Sequence, residues 1–281
     1  MTSLTPSTTI SLRDGHTIPQ LGFGLYQLTD PEETKRAIHS AIEAGYRQFD
    51  DAAAYKNEEI VGEALKESGV PREELYLTTK CWISDFGREK TYDSCRESLD
   101  RFGVDYLDLY LLHWPTEENL LEAWDALQRL QSEGLCRSIG VSNFTVARFE
   151  KGFFPQTDVI PAINQIESHP LRSQSDVQTY CEQKDIAIQA YSPLGQGTLL
   201  DHEDLSTIAD SVGKTTAQVI LRWHLQQNRI VIPKSATPSR IKENIDVYDF
   251  ELSQEQMATI TAMDRAESVI TWKPNNGKNW Y

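Results

Sequence analysis

The feature of this sequence that most limits its fold is a repeated alternation of short apolar runs with amphipathic helical segments. The apolar runs are nearly continuous, which is typical of strands that are buried on both faces of a parallel sheet. Eight such strands are predicted, at residues 21–27, 46–52, 75–80, 105–113, 137–143, 161–167, 186–193 and 229–235. Eight strand–helix pairs in a chain of 281 residues predict an α/β fold, a (β/α)8 barrel of the TIM type.

Helix signals between the strands support this alternation. Asp30 is placed to cap a helix that has Pro31 in its first turn and stops at Gly45. A second amphipathic segment, residues 116–134, predicts a helix with Thr116 as its N-cap. Helices of this kind pack an apolar face on the sheet, as the barrel requires.

Two additions flank the predicted barrel. Residues 10–18 predict an N-terminal β-hairpin that turns at Asp14-Gly15. Residues 252–264 predict one extra C-terminal helix, which is followed by an irregular tail. No Pro/Ser-rich linker marks a second domain, so residues 1–281 are expected to form a single barrel domain.

An open, doubly wound sheet is the alternative fold. That fold binds dinucleotides at a G-x-G-x-x-G turn that follows a strand. The pairs Gly22/Gly24 and Gly195/Gly197 both lack the third glycine. The barrel is therefore favoured.

Charge and apolar patterning limit the partners of the chain. Its formal net charge is −15, which repels phosphate backbones and anionic lipids, so nucleic acid and membrane surfaces are not expected partners. No segment has the roughly 18 apolar residues of a membrane span, and the start does not resemble a signal peptide. A cytoplasmic protein is expected, and a monomer is the default because no heptad or apolar stripe demands assembly.

Polar side chains collect at the carboxyl ends of the predicted strands, where barrel enzymes place their active sites. Seven successive strands end in such residues: Asp50, Asp51, Lys80, His113, Ser142, Asn143, Gln165, Glu167, Tyr191, Ser192, Lys234 and Ser235. A charged residue after one apolar strand is commonplace, whereas seven strands in succession indicate a site.

The sequence around these strand ends resembles the aldo-keto reductase family over nearly the full chain. The matching motifs are GYRQFDDAAAYKNE (45–58), LTTK (77–80), LLHWP (111–115), IGVSNF (139–144), NQIE (164–167), AYSPLG (190–195) and IPKSATPSRIKEN (232–244). The likeness is strongest to short microbial-type members that resemble 2,5-diketo-D-gluconate reductases. It implies an oxidoreductase that reduces aldehydes and ketones to alcohols by hydride transfer.

The resemblance assigns the family's catalytic tetrad to Asp50, Tyr55, Lys80 and His113. Tyr55 is expected to be the general acid, and a neighbouring ammonium from Lys80 is expected to lower its pKa from about 10. Asp50 would hold Lys80 in place. His113 would donate a hydrogen bond to the substrate carbonyl oxygen, which explains an imidazole at the end of a buried strand.

The hydride is expected to come from a nicotinamide cofactor, because no side chain can supply one. The resemblance implies NADPH, with the nicotinamide end held by the strand-end polar residues and the adenosine 2′-phosphate held by Lys234, Ser235 and Arg240. The cofactor-binding residues implied in this way are Ser142, Asn143, Gln165, Tyr191, Ser192, Leu194, Gly195, Lys234, Ser235, Thr237, Arg240, Glu243 and Asn244. Arg and Lys suit phosphate contacts, and here they cluster in an acidic chain.

Aromatic residues are expected to form the substrate wall. These are Tyr26, Trp82 and Trp114 beside His113, with Trp272 or Trp280 of the tail as further candidates. An aromatic rim favours apolar or flat carbonyl compounds over highly hydrated sugars.

The chain departs from the family pattern at two positions. Asp51 replaces the usual threonine after the tetrad aspartate, and it either touches the cofactor ribose or raises neighbouring pKa values. Ile83 stands where a polar residue is common. Both departures affect substrate or cofactor detail rather than the class of reaction.

Two other function classes are open alternatives. A non-catalytic relative could bind the cofactor and serve as a regulatory subunit, but the complete tetrad weighs against it. A metal-dependent barrel hydrolase would need paired metal ligands, and the six histidines show no such spacing. No metal site is expected.

Overall fold

The computed structural model describes residues 4–271 and residue 274. In this part of the chain the strands are β1 (Thr9–Ser11), β2 (Thr17–Pro19), β3 (Phe23–Gly24), β4 (Gln48–Asp50), β5 (Tyr76–Cys81), β6 (Leu107–Leu112), β7 (Cys136–Ser142), β8 (Ile163–Glu167), β9 (Ala187–Tyr191) and β10 (Ile230–Val231). Each of the eight predicted strand segments overlaps one of the strands β3 to β10, and β5 and β7 each extend one residue beyond the predicted segment.

The helices lie between and after these strands. They are α1 (Pro31–Ala44), α2 (Glu58–Glu67), α3 (Arg88–Phe102), α4 (Leu120–Ser132), α5 (Ser175–Gln183), α6 (Glu203–Val212), α7 (Thr216–Gln226), α8 (Pro238–Ile245) and α9 (Gln254–Thr261). The predicted limits of α1 are confirmed, since the Asp30 side chain accepts a hydrogen bond from the Glu33 amide and Gly45 ends the helix at φ 105°.

Strands β3 to β10 form one parallel sheet in chain order. A parallel bridge between Leu21 and Val231 joins the first strand to the last and closes the sheet. The predicted barrel is therefore confirmed. Within the described residues, no helix combines the length and the apolarity that crossing a bilayer requires.

The predicted N-terminal hairpin is confirmed and covers the amino end of the barrel. Strands β1 and β2 pair antiparallel around Gly15, whose φ of 89° suits glycine. Leu12 and Ile18 are buried and pack with apolar side chains inside the barrel, among them Leu109 and Ile230. Because apolar residues fill this end, the opposite, carboxyl end is the one that is open for a site.

Two connections differ from the expected pattern. The β7–β8 connection has a π-helical turn, Arg148–Phe153, where a regular α-helix is expected. The assignment of Thr116 as an N-cap is wrong, because α4 begins later, after Asn119. The Thr116 carbonyl instead accepts a hydrogen bond from Arg148 Nη2 at 2.6 Å, and this contact holds the chain in a loop after His113.

Helices α2 and α3 pack closely at Gly62. A Cβ atom at this position would lie 2.4 Å from the backbone carbonyl oxygen of Phe102. Backbone atoms cannot rotate away as the end of a side chain can, so the contact could be relieved only by moving one helix. Gly62 thus sets the distance between the two helices.

We expect Gly62→Ala to lower the free energy of unfolding by about 2 kcal/mol, because it overpacks a helix contact. Urea unfolding followed by circular dichroism measures the change. The matched control is Lys66→Ala, which is exposed on the same helix and should stay within about 0.5 kcal/mol of the parent. A Gly62→Ala protein as stable as this control would contradict the packing argument.

Candidate active site

A cavity of about 1500 Å³ opens at the carboxyl end of the barrel. Most of the residues that sequence reasoning assigns to the site line it: Tyr26, Asp50, Tyr55, Trp82, His113, Trp114, Ser142, Asn143, Gln165, Tyr191, Ser192, Leu194, Lys234, Ser235, Arg240, Glu243 and Asn244. They come from eight different strand ends and loops, so only the closed sheet brings them together.

A buried ion pair lies beneath one side of this cavity. Lys80 is fully buried, and its Nζ lies 2.6 Å from Asp50 Oδ1 and 2.6 Å from the backbone carbonyl oxygen of Asp51. The other oxygen of Asp50 accepts a hydrogen bond from Gln165 Nε2 at 2.6 Å. Burial raises the pKa of Asp50, and the Lys80 ammonium and the Gln165 amide oppose this increase.

The Tyr55 ring lies above this pair. Lys80 Nζ is 5.3 Å from the centre of the ring, and the Tyr55 and His113 rings are 5.9 Å apart. Burial, followed by the carboxyl groups of Asp50 and Asp51, raises the pKa of Tyr55 well above its usual value. The prediction that Lys80 lowers the pKa of Tyr55 is therefore wrong, because the net shift of this pKa is upward. A raised pKa keeps the proton on the phenol, which a proton donor requires.

His113 is held between aromatic rings at the end of β6. Trp82 meets the imidazole edge-on at 5.1 Å and Trp114 is stacked at 6.2 Å. Burial first, and then the charge of Lys80, lowers the pKa of His113 well below its usual value. The imidazole is therefore neutral at physiological pH, so one of its two ring nitrogens carries a proton that it can donate.

Four polar side chains next to the ion pair form a hydrogen-bonded cluster. The Tyr191 hydroxyl donates to Asn143 Oδ1 at 2.8 Å, and Asn143 Nδ2 donates to the His113 carbonyl at 3.0 Å. Ser142 Oγ donates to the backbone carbonyl of Gln165 at 2.9 Å. The Gln165 amide donates to both Asp50 and Gln189, which leaves its carbonyl oxygen as the group that can accept from a ligand.

Cationic and hydroxyl groups line a different part of the cavity. Lys234 and Arg240 are exposed, and neither is paired with a carboxylate among the residues that the structure describes. Ser235 lies between them along the chain and is largely buried. In contrast, Lys214 on the same wall is already paired with Asp246 and Asp249. Lys234 and Arg240 are therefore available to an anionic ligand.

Some predicted site residues are not on the cavity wall. Lys80 lies underneath it, and Gly195 and Thr237 do not line it. Gly195 has a φ of 56° and begins a short helical turn, and Thr237 is the residue that precedes α8. The sequence alone could not show this. A residue of a turn or helix cap next to a ligand-binding loop cannot be distinguished, by its position in the sequence, from a residue that contacts the ligand. Trp272 and Trp280 lie outside the described residues.

Asp51 does not line the cavity. Its side chain is fully buried, and one oxygen accepts a hydrogen bond from the Ala52 amide at 2.9 Å. Burial and the nearby Glu58 carboxylate raise the pKa of Asp51 well above its usual value. Of the two roles considered for this residue, contact with the cofactor ribose is not supported, whereas a rise in the pKa of Tyr55 is.

The cavity also has wall residues that sequence reasoning missed. Ile270 of the tail lines it, as do Asp210 and Thr216 near the α6–α7 turn. Gln189, a buried glutamine in β9, contacts Gln165 at 2.8 Å. A polar residue within the apolar run IAIQAY was the available signal for Gln189, whereas nothing in the sequence places Ile270. Within residues 4–271 and 274, no three His, Cys, Asp or Glu side chains are arranged to hold a metal ion.

Residues 20–265 match the model of the aldo/keto reductase family. An aldo-keto reductase of Mycobacterium sp. strain JLS is 49% identical, over 92% of this chain and 93% of the relative. The glyoxal reductase of Bacillus subtilis is 46% identical, over 93% and 94%. The methylglyoxal reductase DkgA of Escherichia coli O157:H7 is 46% identical, over 92% and 94%.

Solved structures give the same result. An aldo/keto reductase from Brucella melitensis superposes with a TM-score of 0.88 at 45% identity, covering 92% of this chain and 100% of that one. An aldo-keto reductase from Bombyx mori, solved in complex with NADP, also has a TM-score of 0.88, at 36% identity over 95% and 96% of the two chains.

We expect the His113 imidazole to stay neutral across the pH range in which an exposed histidine becomes charged, because burial and Lys80 disfavour its charged form. NMR spectra of protein with labelled histidine, recorded across this range, measure the titration. The His113→Asn variant identifies the resonance. A His113 midpoint near pH 6.5 would show that the ring is solvated rather than buried.

Proposed function

This chain belongs to the aldo/keto reductase family, and on that premise we propose that it reduces small aldehydes and ketones to alcohols with NADPH, with Tyr55 as the proton donor. The family that the sequence motifs predict is thereby confirmed. The reaction is an oxidation–reduction: the carbonyl carbon gains a hydride and the carbonyl oxygen gains a proton.

One observation carries the proposal. A phenol that retains its proton and a neutral imidazole lie 5.9 Å apart, ring centre to ring centre, on the wall of one cavity above the buried Lys80–Asp50 pair. A carbonyl oxygen between the two groups could accept a hydrogen bond from each. Both donors then stabilise the negative charge that develops on this oxygen.

The chemistry of the donor set fits NADPH. The Gln165 carbonyl oxygen and the Ser142 and Asn143 side chains suit a carboxamide, and the Tyr191 ring offers a flat surface to a nicotinamide. Lys234, Ser235 and Arg240 supply charge and a hydroxyl for a phosphate monoester. Glu243 and Asn244 line the cavity in the following turns and are proposed to contact the adenine. When bound, the cofactor supplies the hydride.

Side chains of this protein perform the remaining steps. His113 orients the substrate by donating a hydrogen bond to the carbonyl oxygen. Tyr55 transfers its phenolic proton to the same oxygen as the hydride reaches carbon, and this gives the alcohol and a phenolate. The Lys80 ammonium, fixed by Asp50, stabilises the phenolate until solvent restores the proton. Lys80 and Asp50 are thus positioning residues, and Tyr55 and His113 contact the substrate.

Short dicarbonyl compounds are the substrate class that we propose. Two relatives that are each 46% identical to this chain are named for glyoxal and methylglyoxal reduction. Tyr26, Trp82 and Trp114 give the cavity an aromatic wall, which suits flat, uncharged carbonyl compounds. Tyr26 is the most open of these, with 48% of its surface exposed, so the wall is accessible from solvent.

We expect Tyr55→Phe to reduce kcat/KM for methylglyoxal with NADPH by about 10²–10⁴-fold, because the variant has no proton to donate. Loss of NADPH absorbance measures the rate. Tyr92→Phe is the matched control, since it removes a phenol that bonds Glu133 on the surface and should keep full activity. Tight NADPH binding by the parent protein without turnover of any aldehyde or ketone would instead favour a non-catalytic, regulatory role.

We expect Arg240→Ala to weaken NADPH binding by about 10–100-fold and to leave NADH binding nearly unchanged, because only NADPH carries the 2′-phosphate. Quenching of protein fluorescence measures both affinities. Lys242→Ala removes the same charge from the same helix at a residue that does not line the cavity. An equal loss for both cofactors, or an equal effect of Lys242→Ala, would contradict the assignment.

A further inference from the structure

Asp51 is a buried carboxyl group that the proposed reaction does not use. Its side chain is fully buried, and its Oδ1 accepts a hydrogen bond from the amide of the next residue, Ala52, at 2.9 Å. Its Oδ2 has no hydrogen-bond partner among the residues that the structure describes. A buried carboxylate oxygen without a donor is costly, because nothing replaces the water that it has lost. The surroundings therefore disfavour a charge on Asp51.

The two cations nearby are paired with other carboxylates. Lys80 Nζ lies 2.6 Å from Asp50 Oδ1, and its contact with Asp51 is to the backbone carbonyl oxygen rather than to the carboxyl group. Arg101 Nε lies 2.6 Å from Glu58 Oε2. Each of these cations thus already has a carboxylate of its own.

The Glu58 carboxylate is surrounded by donors, in contrast to that of Asp51. Its Oε1 accepts a hydrogen bond from Thr79 Oγ1 at 2.6 Å. Its Oε2 accepts from Ser98 Oγ at 3.2 Å as well as from Arg101. These donors favour the ionised form of Glu58, so its negative charge lies close to Asp51.

Three carboxyl groups therefore share two cations at this end of β4. No Lys, Arg or His side chain in the described part of the chain forms an ion pair with the carboxyl group of Asp51. Burial first, and then the charge of Glu58, raises the pKa of Asp51 well above its usual value, although Lys80 opposes this increase. If Asp51 keeps its proton, the charges of Lys80, Asp50, Arg101 and Glu58 cancel.

We propose that Asp51 is a neutral carboxylic acid in the working enzyme, and that the loss of its proton to water at higher pH slows proton transfer from Tyr55. This inference rests on the proposed reductase function, in which Tyr55 becomes a phenolate that Lys80 stabilises. An ionised Asp51 opposes the charge of Lys80 and repels the phenolate. Asp51 acts through these two groups and does not line the cavity, so it is a positioning residue.

Tyr55 itself loses its proton at a higher pH than Asp51. Burial, and then the charges of Asp50 and Asp51, raise the pKa of Tyr55 well above its usual value. Reduction is therefore expected to slow in two stages as the pH rises. The first stage is partial and follows the ionisation of Asp51, and the second is complete and follows the ionisation of Tyr55. A residue that cannot ionise at position 51 leaves the second stage alone.

Three variants of the full-length enzyme test the inference. Asp51→Asn keeps the size of the side chain and an oxygen for the Ala52 amide, but it cannot ionise. Asp51→Thr introduces the residue that is usual in the family, and it replaces Asp51→Asn if that protein does not fold. Asp93→Asn, at an exposed aspartate on α3, is the matched control for the loss of one carboxyl group.

The first measurement is kcat/KM for methylglyoxal with NADPH as a function of pH. We expect the parent and Asp93→Asn to show a partial fall of about threefold to tenfold before the final loss of activity. Asp51→Asn and Asp51→Thr should show the final loss alone. A partial fall that persists in both Asp51 variants would assign it to another group and overturn the effect on the reaction.

The second measurement needs no activity: it is the equilibrium constant of unfolding in urea at a series of pH values. Since the folded protein binds the proton of Asp51 more tightly than the unfolded chain, stability is lost as the pH rises from about 4, the usual pKa of aspartate, to the raised pKa of Asp51. We expect the unfolding constant of the parent, relative to that of Asp51→Asn, to increase about tenfold per pH unit in this interval. The same comparison with Asp93→Asn corrects for the loss of a carboxyl group as such.

The two measurements separate this inference from the proposed function. A ratio of unfolding constants that does not change with pH would show that Asp51 is ionised in the folded protein, and would overturn the inference. A ratio that rises as expected establishes the neutral acid, whether or not the enzyme is active. Absence of turnover with every carbonyl compound overturns the proposed function, and with it the effect of Asp51 on the reaction.

Discussion

The carboxyl end of this barrel depends on the buried ion pair of Lys80 and Asp50. Removing two charges from water costs several kcal/mol for each ion, and only close pairing with further hydrogen bonds offsets this cost. Here the pair is joined by the Asp51 carbonyl and the Gln165 amide, all at 2.6 Å. These contacts connect β4 and β5 to β8 across the interior of the barrel. The polar network occupies the end that the apolar hairpin does not fill.

The surroundings of the same pair explain why the pKa values of Tyr55 and His113 differ from those of exposed side chains. Because Asp50 already neutralises Lys80, the ammonium does not dominate the pKa of Tyr55, and burial together with two carboxyl groups raises it. For His113, burial and the ammonium act in the same direction and lower the pKa. The site therefore holds two neutral hydrogen-bond donors next to one ion pair. Asp51, where the family usually has threonine, strengthens the effect on Tyr55.

Local patterns in the sequence were sufficient for the parts of the fold that local physics determines. Continuous apolar runs predicted the strands, and Asp30 and Gly45 predicted both ends of α1 because capping involves only neighbouring residues. Thr116 was misread, because its carbonyl is used by Arg148 from another connection and α4 starts after Asn119. Glu167 was recognised as a polar strand end, but two of its hydrogen-bond donors, Ser268 and Val269, lie about 100 residues away, and no local pattern encodes them.

The two ends of the cavity are built by different physical means. Near Tyr55 the important groups are buried and share hydrogen bonds, so a change at one of them alters the charge state of the others. Lys234 and Arg240 are exposed and unpaired within the described chain, so each contributes to an anion almost independently. A substitution of one exposed residue can therefore change the preference between two cofactors that differ by one phosphate. In contrast, a substitution near Tyr55 alters the protonation of several groups together. The residues that select the cofactor can therefore change without altering the residues that donate the proton, although both groups line one cavity.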